Sequence, residues 1–417
     1  MWQLLKFITM IISPAPYRLL LFLLMTLLSG VLHGRAVRVA SIPIELAGSY
    51  IIIHATINNS TPLRLMFDTG VRNTIITELQ MEDSVDLMPG ILKPIQGLGS
   101  GKTVSSFVSE GNIIKLGKLK LTNTTVNLLT EDILGLSHHV GAKINGIAGI
   151  NLIKDYIAEF DYTRKRMNLF HHDKNKVPKG YIYKPLIVEN NKLYINLTLL
   201  DDSARIRNIK MLIDTGAMLN AWFQTVRSDA AEIPERRVYA RIGEGFSGEM
   251  CGYLARIPQI CFDKYCFHQP IVVFPDSATI AGIISRSDRD GTIGNELLSR
   301  FNIIIDIKNK ALYLKPNHNF NNKFKYNVAG IEVIQNGNFI PVYEITNIWK
   351  DSPAEKAGLQ TGDVLIEIKG NKTYTIKLPE IRGFFQQVSG QPLHVVVDRN
   401  QELMDFYVDM QDLLNNP

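Results

Sequence analysis

Cysteine is scarce in this chain, with three residues among 417. That number excludes a small fold built on disulfide bonds and a zinc site built on four thiolates. Charge of one sign is also lacking, because 45 basic residues face 40 acidic ones and the net charge is only +5. This balance does not have the strongly basic footprint of a nucleic-acid-binding protein. Hydrophobic residues make up 46% of the chain, which is typical of a globular protein.

The length of the chain predicts two to four domains, at about 100–200 residues each. A long hydrophobic run, Leu19–Leu32, follows the basic residues Lys6 and Arg18 near the N-terminus. The run is shorter than the roughly 20 residues that span a bilayer and suits the core of a signal peptide. We expect residues 1–36 to be a signal peptide or an uncleaved anchor. The protein is then exported, either to the periplasm or anchored to the membrane and facing outside the cytoplasm.

An internal repeat divides the body of the chain. The triplet Asp68-Thr69-Gly70 recurs as Asp214-Thr215-Gly216, 146 residues later, and each copy stands between two apolar runs. A second pair of similar segments begins at Gly146 and Gly291, which are 145 residues apart. Two motif pairs with nearly equal offsets indicate a duplicated lobe.

The repeat predicts lobe one at residues 40–172 and lobe two at residues 181–316, joined by the polar linker His171–Gly180. Apolar runs such as Ser49–Ile57 and Leu193–Leu200, with turn residues between them, make each lobe mainly β. Asn151–Tyr156 and Glu296–Arg300 are each predicted to form one short helix.

A third unit is predicted at residues 325–415, after the Asn- and Lys-rich linker Asn317–Asn327. A short helix should begin at Ser352 as N-cap, with Pro353 in its first turn, Glu355 closing a capping box and Gly358 ending it. Further along, the pattern predicts a strand at Val364–Ile368, a helix at Leu378–Val388 and a strand at Leu393–Asp398.

The two D-T-G triplets suggest the chemistry. Each Asp follows a buried strand, and the small Gly70 and Gly216 allow a turn and a close approach of the backbone. The hydroxyls of Thr69 and Thr215 can hydrogen-bond the two loops together. Two carboxylates about 3 Å apart cannot both ionise, so such a pair holds one proton. The ionised member can activate a water and the protonated member can donate to a carbonyl oxygen, which is general acid/base hydrolysis of an amide.

The sequences FDTG and LIDTGA, together with Ile147-Ala148-Gly149 and Thr292-Ile293-Gly294, resemble aspartic proteases of the pepsin and retropepsin type. The resemblance implies two β-barrel lobes, no cofactor and no metal, polypeptide substrates, and Asp68 and Asp214 as catalytic residues in one chain. It also implies a mobile flap at Gln96–Ser106, with Gly97, Gly99 and Gly101, and a lobe-two counterpart at Arg241–Tyr253.

The third unit resembles a bacterial PDZ domain, on SPAEKAGLQTGDVLIEIKG and on Gly330-Ile331-Glu332-Val333. The resemblance implies that these four residues bind peptides or protein C-termini by strand addition. The fold class implied for the whole chain is mainly β: duplicated pepsin/retropepsin-like lobes followed by a PDZ domain, from a bacterium.

Two positions depart from the pepsin pattern. Val71 and Ala217 follow the D-T-G triplets where pepsin-like enzymes have a hydroxyl residue. Without that donor the acid limb of the activity profile should lie nearer mild acid than strong acid. An inward-pointing Arg72 would oppose this shift.

A disulfide is predicted between Cys261 and Cys266. ICFDKYCF aligns with KLGKLKL of lobe one, and both read as hairpins with a two-residue turn. The two cysteines then form a cross-strand pair at a non-hydrogen-bonded position, where strands are closest. Three reduced thiols are the alternative, and Cys251 remains unpaired in either case.

Two functions stay open at this point. The first is an active aspartic endopeptidase whose PDZ domain binds polypeptide. The alternative is a catalytically silent peptide-binding protein that uses the same cleft and PDZ domain. His138-His139 and His171-His172 have no third ligand at zinc-type spacing, so we interpret them as loop residues. Trp222 is interpreted as a core residue rather than a pocket residue.

Overall fold

A computed structural model describes residues 38–95, 104–172, 179–201, 203–225, 231–245, 248–277, 279–280, 288–337 and 339–415. The predicted signal segment, the flap glycines Gly97, Gly99 and Gly101, and most of the His171–Gly180 linker lie outside these residues. Within them, no helix is both long enough and apolar enough to cross a membrane.

Lobe one begins with β1 and continues through a sheet of eight strands. The sheet runs in the order β2-β3-β4-β9-β5-β8-β7-β6. The strands of this lobe are β1 (Arg38–Pro43), β2 (Glu45–Ala47), β3 (Tyr50–Ile57), β4 (Leu63–Phe67), β5 (Thr74–Ile76), β6 (Gly90–Ile95), β7 (Val104–Leu116), β8 (Leu119–Leu129), β9 (Gly146–Ala148), β10 (Ile157–Asp161) and β11 (Arg166–Phe170).

Lobe two repeats this plan. Its sheet runs in the order β17-β18-β21-β16-β22-β15-β14-β19-β20, with β13 paired to β14. Its strands are β12 (Ile182–Pro185), β13 (Ile187–Glu189), β14 (Lys192–Leu200), β15 (Ile206–Asp214), β16 (Ala221–Phe223), β17 (Arg237–Gly245), β18 (Gly248–Arg256), β19 (Gln259–Phe262), β20 (Tyr265–His268), β21 (Ile271–Pro275), β22 (Gly291–Gly294), β23 (Phe301–Asp306) and β24 (Ala311–Pro316).

The strand registers show the repeat directly. In lobe one, β4 and β9 are parallel, with Phe67 opposite Ala148. In lobe two, β15 and β22 are parallel, with Ile213 opposite Ile293. These partners differ by 213 − 67 = 146 and 293 − 148 = 145, the same offsets as the sequence motifs. The duplication predicted from the sequence is therefore also a duplication of strand pairing.

A six-stranded sheet, β1-β11-β10-β23-β24-β12, joins the lobes. Its centre is the antiparallel pair of β10 from lobe one and β23 from lobe two, with Phe160 opposite Ile303. One buried hydrophobic cluster runs through both lobes and includes Phe67 and Ile213. Because a shared sheet and a shared core fix the lobes to each other, the two D-T-G loops are held at a constant separation.

The C-terminal unit is a six-stranded sheet in the order β25-β26-β27-β29-β30, with β28 paired to β27. Its strands are β25 (Ile331–Asn336), β26 (Val342–Ile348), β27 (Val364–Ile368), β28 (Asn371–Lys372), β29 (Leu393–Arg399) and β30 (Glu402–Val408). The α-helices described over their full length are α1 (Leu136–Val140) in lobe one, α2 (Asn295–Leu298) in lobe two, and α3 (Pro353–Ala357) and α4 (Leu378–Phe384) here.

The local signals explain most of these boundaries. Ser352 caps α3 by accepting from the Glu355 amide, and Gly358 ends it at φ +91°. The helix predicted at Leu378–Val388 ends earlier, at Phe384. The other two predicted helices are shorter than expected: α2 has four residues, and lobe one has a 3-10 turn at Ile150–Leu152.

The segment Asn317–Asn327 packs closely against lobe two. Its Phe320 ring lies 4.8 Å from the ring of Phe267, measured between centroids. The guanidinium of Arg300 lies 4.0 Å from the centroid of Phe324 and donates to the carbonyl of Phe320 at 3.2 Å. These contacts attach the C-terminal unit firmly to lobe two.

Candidate active site

The strands place both D-T-G triplets at equivalent points. Asp68 follows β4, and its amide donates to the carbonyl of Ala148 on β9 at 2.9 Å. Asp214 is the last residue of β15 and lies opposite Gly294 of β22. Since each Asp lies at the end of a strand with a parallel neighbour, its position is fixed by the central sheet of its lobe.

The two threonines join the loops through four hydrogen bonds. The Thr69 hydroxyl donates to the Ile213 carbonyl at 2.8 Å and accepts from the Thr215 amide at 3.1 Å. The Thr215 hydroxyl donates to the Phe67 carbonyl at 3.0 Å and accepts from the Thr69 amide at 3.0 Å. Both threonines are buried, at 0% and 2% exposure. Buried hydrogen bonds of this kind stabilise one geometry, because breaking any of them leaves an unsatisfied polar group.

The two glycines bring the backbone close to the carboxylates. The Gly70 amide donates to Asp68 Oδ1 at 2.6 Å, and the Gly216 amide donates to Asp214 Oδ1 at 3.0 Å. A Cβ at position 216 would lie 2.3 Å from Asp68 Oδ2, and one at position 70 would lie 3.1 Å from Asp214 Oδ2. Each glycine therefore lies against the carboxylate of the opposite lobe, so the carboxylates of Asp68 and Asp214 are side by side.

Burial raises the pKa of both carboxyl groups, and it is the largest cause for each. The pKa of Asp68 is held well above its ordinary range, because the neighbouring charge of Asp214 adds to the effect of burial. For Asp214, a hydrogen bond with Asp68, the positive charge of Arg289 and the amides of Gly216 and Ala217 all lower the pKa and offset part of the burial. The pair therefore holds one proton between its two carboxyl groups, and the positive charge of Arg289 favours ionisation of Asp214.

Arg289 also acts at this site, although no sequence motif marks it as a functional residue. It is buried at 3% exposure and lies over the ring of Trp222, 5.0 Å from the centroid. Trp222 is itself a buried residue that packs with Val273 and Ile280. Ala217 has no hydroxyl, but its main-chain amide acts on Asp214.

A cavity of about 370 Å³ lies beside the second D-T-G loop. Its lining includes Gly216, Ala217 and Tyr50, and also Arg241 of β17. The C-terminal unit contributes further lining residues, namely Ile331, Glu332, Val333, Trp349, Arg382 and Phe385. This unit therefore helps to form a cavity that reaches the second D-T-G loop.

The C-terminal unit contacts both lobes at this cavity. Glu332 accepts from Arg241 of lobe two at 3.0 Å and from the Trp349 indole at 2.6 Å. His138 of α1 lies 2.9 Å from the carbonyl of Gln335 on β25. Val238, Ala240 and Ile271 of lobe two belong to the same buried cluster as the core of the unit.

The predicted peptide-binding residues have their main-chain groups engaged. The amides of Gly330 and Ile331 both donate to the side-chain oxygen of Asn327, at 3.1 and 3.3 Å. The carbonyl of Val333 accepts from Arg382 at 3.0 Å. Peptide binding along β25 would therefore have to replace these intramolecular partners.

The structure also describes the three cysteines and the second hairpin. A disulfide joins Cys261 and Cys266, whose Cα atoms are 4.1 Å apart, and Cys251 is a free thiol. In the described part of the chain, no group of three His, Cys, Asp or Glu side chains is arranged to hold a metal ion. Arg241–Tyr253, predicted as the lobe-two counterpart of the flap, lies in the β17–β18 hairpin, which is described except for its tip at 246–247.

The C-terminal unit is similar in sequence to a known domain family. Residues 344–399 match the sequence model of the PDZ domain family. The chain carries a C-terminal PDZ domain.

No curated protein matches this chain. Among solved structures, it is similar to the aspartic proteinase from Irpex lacteus, with 14% sequence identity and a TM-score of 0.41. That match covers 68% of this chain and 98% of the other.

Proposed function

We propose that the protein is an aspartic endopeptidase that hydrolyses peptide bonds with Asp68 and Asp214 as its catalytic pair. The observation that carries the proposal is the reciprocal hydrogen bonding of Thr69 and Thr215, which places two carboxyl groups of unequal proton affinity side by side. Paired carboxyl groups whose pKa values are shifted by burial and by each other are typical of functional sites.

In this mechanism, ionised Asp214 takes a proton from water while protonated Asp68 donates to the carbonyl oxygen of the substrate. The water oxygen bonds to the carbonyl carbon, which gives a neutral tetrahedral diol. Asp214 then transfers its proton to the amide nitrogen, the C–N bond breaks, and Asp68 recovers a proton from the diol. The products are a carboxylic acid and an amine, and both residues return to their starting states.

The deciding experiment compares the full-length protein with its Asp68→Asn and Asp214→Asn variants on an unfolded polypeptide. Each variant should lower kcat/KM at least about a thousandfold, because each carboxyl group has a role that the other cannot fill. A transition-state-mimicking inhibitor should block the parent protein. Full activity in either variant would overturn the assignment, and binding of polypeptide without any cleavage would favour the silent peptide-binding alternative.

We also propose that the protein acts outside the cytoplasm. The predicted N-terminal segment and the Cys261–Cys266 disulfide support this, since stable disulfides form in oxidising compartments. Fractionation of cells followed by detection of the protein in the periplasm or in the membrane tests it.

A further inference from the structure

Arg382 occupies an unusual position in the cavity between the PDZ domain and the catalytic lobes. It lies on α4, lines the cavity and is partly buried. A guanidinium has five N–H donors, but among the described residues its only hydrogen bond goes to the carbonyl of Val333. No nitrogen of Arg382 is among the side-chain atoms that are buried without a partner in the described part of the chain. Its remaining donors are therefore accessible to a ligand that enters the cavity.

The nearest acidic side chain does not satisfy Arg382. Glu332 acts on it electrostatically, but that carboxylate already accepts from Arg241, Trp349 and Asn347 at 3.0, 2.6 and 3.2 Å. In the part of the chain that the structure describes, no carboxylate lies within 4.0 Å of Arg382. Burial accordingly lowers the pKa of Arg382.

Tyr50 supplies a second donor in the same cavity. Its hydroxyl has no hydrogen-bond partner among the described residues. It interacts electrostatically with Arg382 and also with Asp68 and Asp214. Tyr50 and Arg382 therefore line one cavity that also reaches Gly216 of the second D-T-G loop. Burial raises the pKa of Tyr50 to about 12, which keeps the hydroxyl protonated as a donor.

The usual anchoring groups of the PDZ domain are less available than these two. Asn327 holds the amides of Gly330 and Ile331, and His138 lies against the carbonyl of Gln335. A ligand that keeps these intramolecular bonds would meet Arg382 and Tyr50 first.

We propose that Arg382 and Tyr50 form a subsite for a carboxylate of the polypeptide substrate, and that it selects chains bearing this group a few residues from the cleaved bond. The proposal rests on the proposed endopeptidase function and specifies its substrate class. The carboxylate is either an acidic side chain or the free C-terminus, since both present the same two oxygens to a guanidinium.

The test uses the full-length protein and peptide pairs derived from one cleaved sequence. One pair differs only in a C-terminal carboxylate or amide, and the others exchange Glu for Gln at successive positions. We expect one pair to show a preference for the carboxylate of about tenfold or more in kcat/KM, the range of a charge-assisted hydrogen bond. The pair that responds identifies the source of the carboxylate.

Three variants connect the preference to this subsite. Arg382→Gln should abolish it while keeping a donor for Val333, and Arg382→Glu should reverse it in favour of the uncharged peptide. Tyr50→Phe should weaken it several-fold without changing charge. Lys356→Gln removes a positive charge from exposed α3 of the same domain, away from the cavity, and should leave the preference intact.

A binding measurement separates this proposal from the proposed catalysis. Labelled peptides are titrated into Asp68→Asn protein and followed by fluorescence anisotropy. If the parent protein cleaves nothing but this variant binds the carboxylate peptide about tenfold more tightly, the subsite stands and the catalytic proposal fails. Equal rates and equal affinities for every peptide pair, or a preference that survives Arg382→Gln, would overturn the subsite.

Discussion

The loops that carry Asp68 and Asp214 differ less in their backbone than in the groups around them. Each carboxylate accepts from the amide two residues later, and the two threonines exchange equivalent hydrogen bonds. However, Ile75 of lobe one and Trp222 of lobe two hold equivalent positions beside β9 and β22. An aliphatic side chain in one lobe therefore corresponds to a large aromatic one in the other. Lobe two also adds Arg289 and the Ala217 amide. Duplication supplies a symmetrical frame, and the unequal surroundings distinguish the two carboxyl groups, as the proposed acid/base hydrolysis requires.

The largest difference in activity between equivalent substitutions in the two lobes should come from the glycines of the D-T-G loops. Gly216→Ala would place a Cβ 2.3 Å from Asp68 Oδ2, whereas the nearest atom to a Cβ at position 70 is 3.0 Å away. We expect Gly216→Ala to lower kcat/KM by about 100-fold or more, since displacing a reacting group by about 1 Å can cost that much. Gly70→Ala should cost clearly less.

Gly390→Ala is the control for that experiment, because a Cβ there would meet no atom within 4 Å. Steady-state kinetics on one polypeptide substrate measures all three variants. Equal losses at positions 70 and 216 would show that the lobes are more alike at the carboxylates than the distances indicate.

The threonines should show the opposite result, with the lobes behaving alike. Thr69→Val and Thr215→Val each remove a buried hydroxyl that makes one donated and one accepted hydrogen bond. Each should lower the free energy of unfolding by about 2–4 kcal/mol, because buried main-chain groups lose their partners. Because the four bonds form one network, the double variant should cost less than the sum. Urea denaturation measures this, and Thr→Ser at each site should restore most of the loss.

Equivalent hairpins of the two lobes offer a smaller contrast. Cys261 pairs with Cys266 in lobe two, where lobe one has Lys115 opposite Lys120. Replacing both cysteines with serine should lower the free energy of unfolding by about 2 kcal/mol or less, because the closed loop is short. Thiol titration of the denatured, unreduced protein should find one reactive thiol, Cys251, and three would contradict the disulfide.

Much of this arrangement could be predicted from local sequence. The D-T-G repeat, the two-residue hairpin turns and the Ser352 cap are encoded by neighbouring residues, and the offset of 146 residues carried the strand register. Tyr50, Arg289 and Arg382 carry no such local signal, because their roles depend on the docking of distant elements. The lengths of α2 and α4 were also overestimated, since an apolar pattern does not show where packing stops favouring the helix.

The smallest expected effect is on the pH dependence of kcat/KM, and it distinguishes Asp68 from Asp214. Arg289 lowers the pKa of Asp214 and is not among the largest causes that act on the pKa of Asp68. Arg289→Gln removes that charge, so Asp214 should need a higher pH to ionise, and the acid limb of the kcat/KM profile should move to higher pH. The alkaline limb, which follows loss of the proton from Asp68, should move less. Arg289→Lys retains the charge and should keep the acid limb in place.

Because burial raises the pKa of both carboxyl groups, even the parent profile should have its acid limb above the ordinary Asp value of about 3.9. An acid limb at strong acid, or one that moves to lower pH in Arg289→Gln, would contradict the assignment of Asp214 as the ionised member.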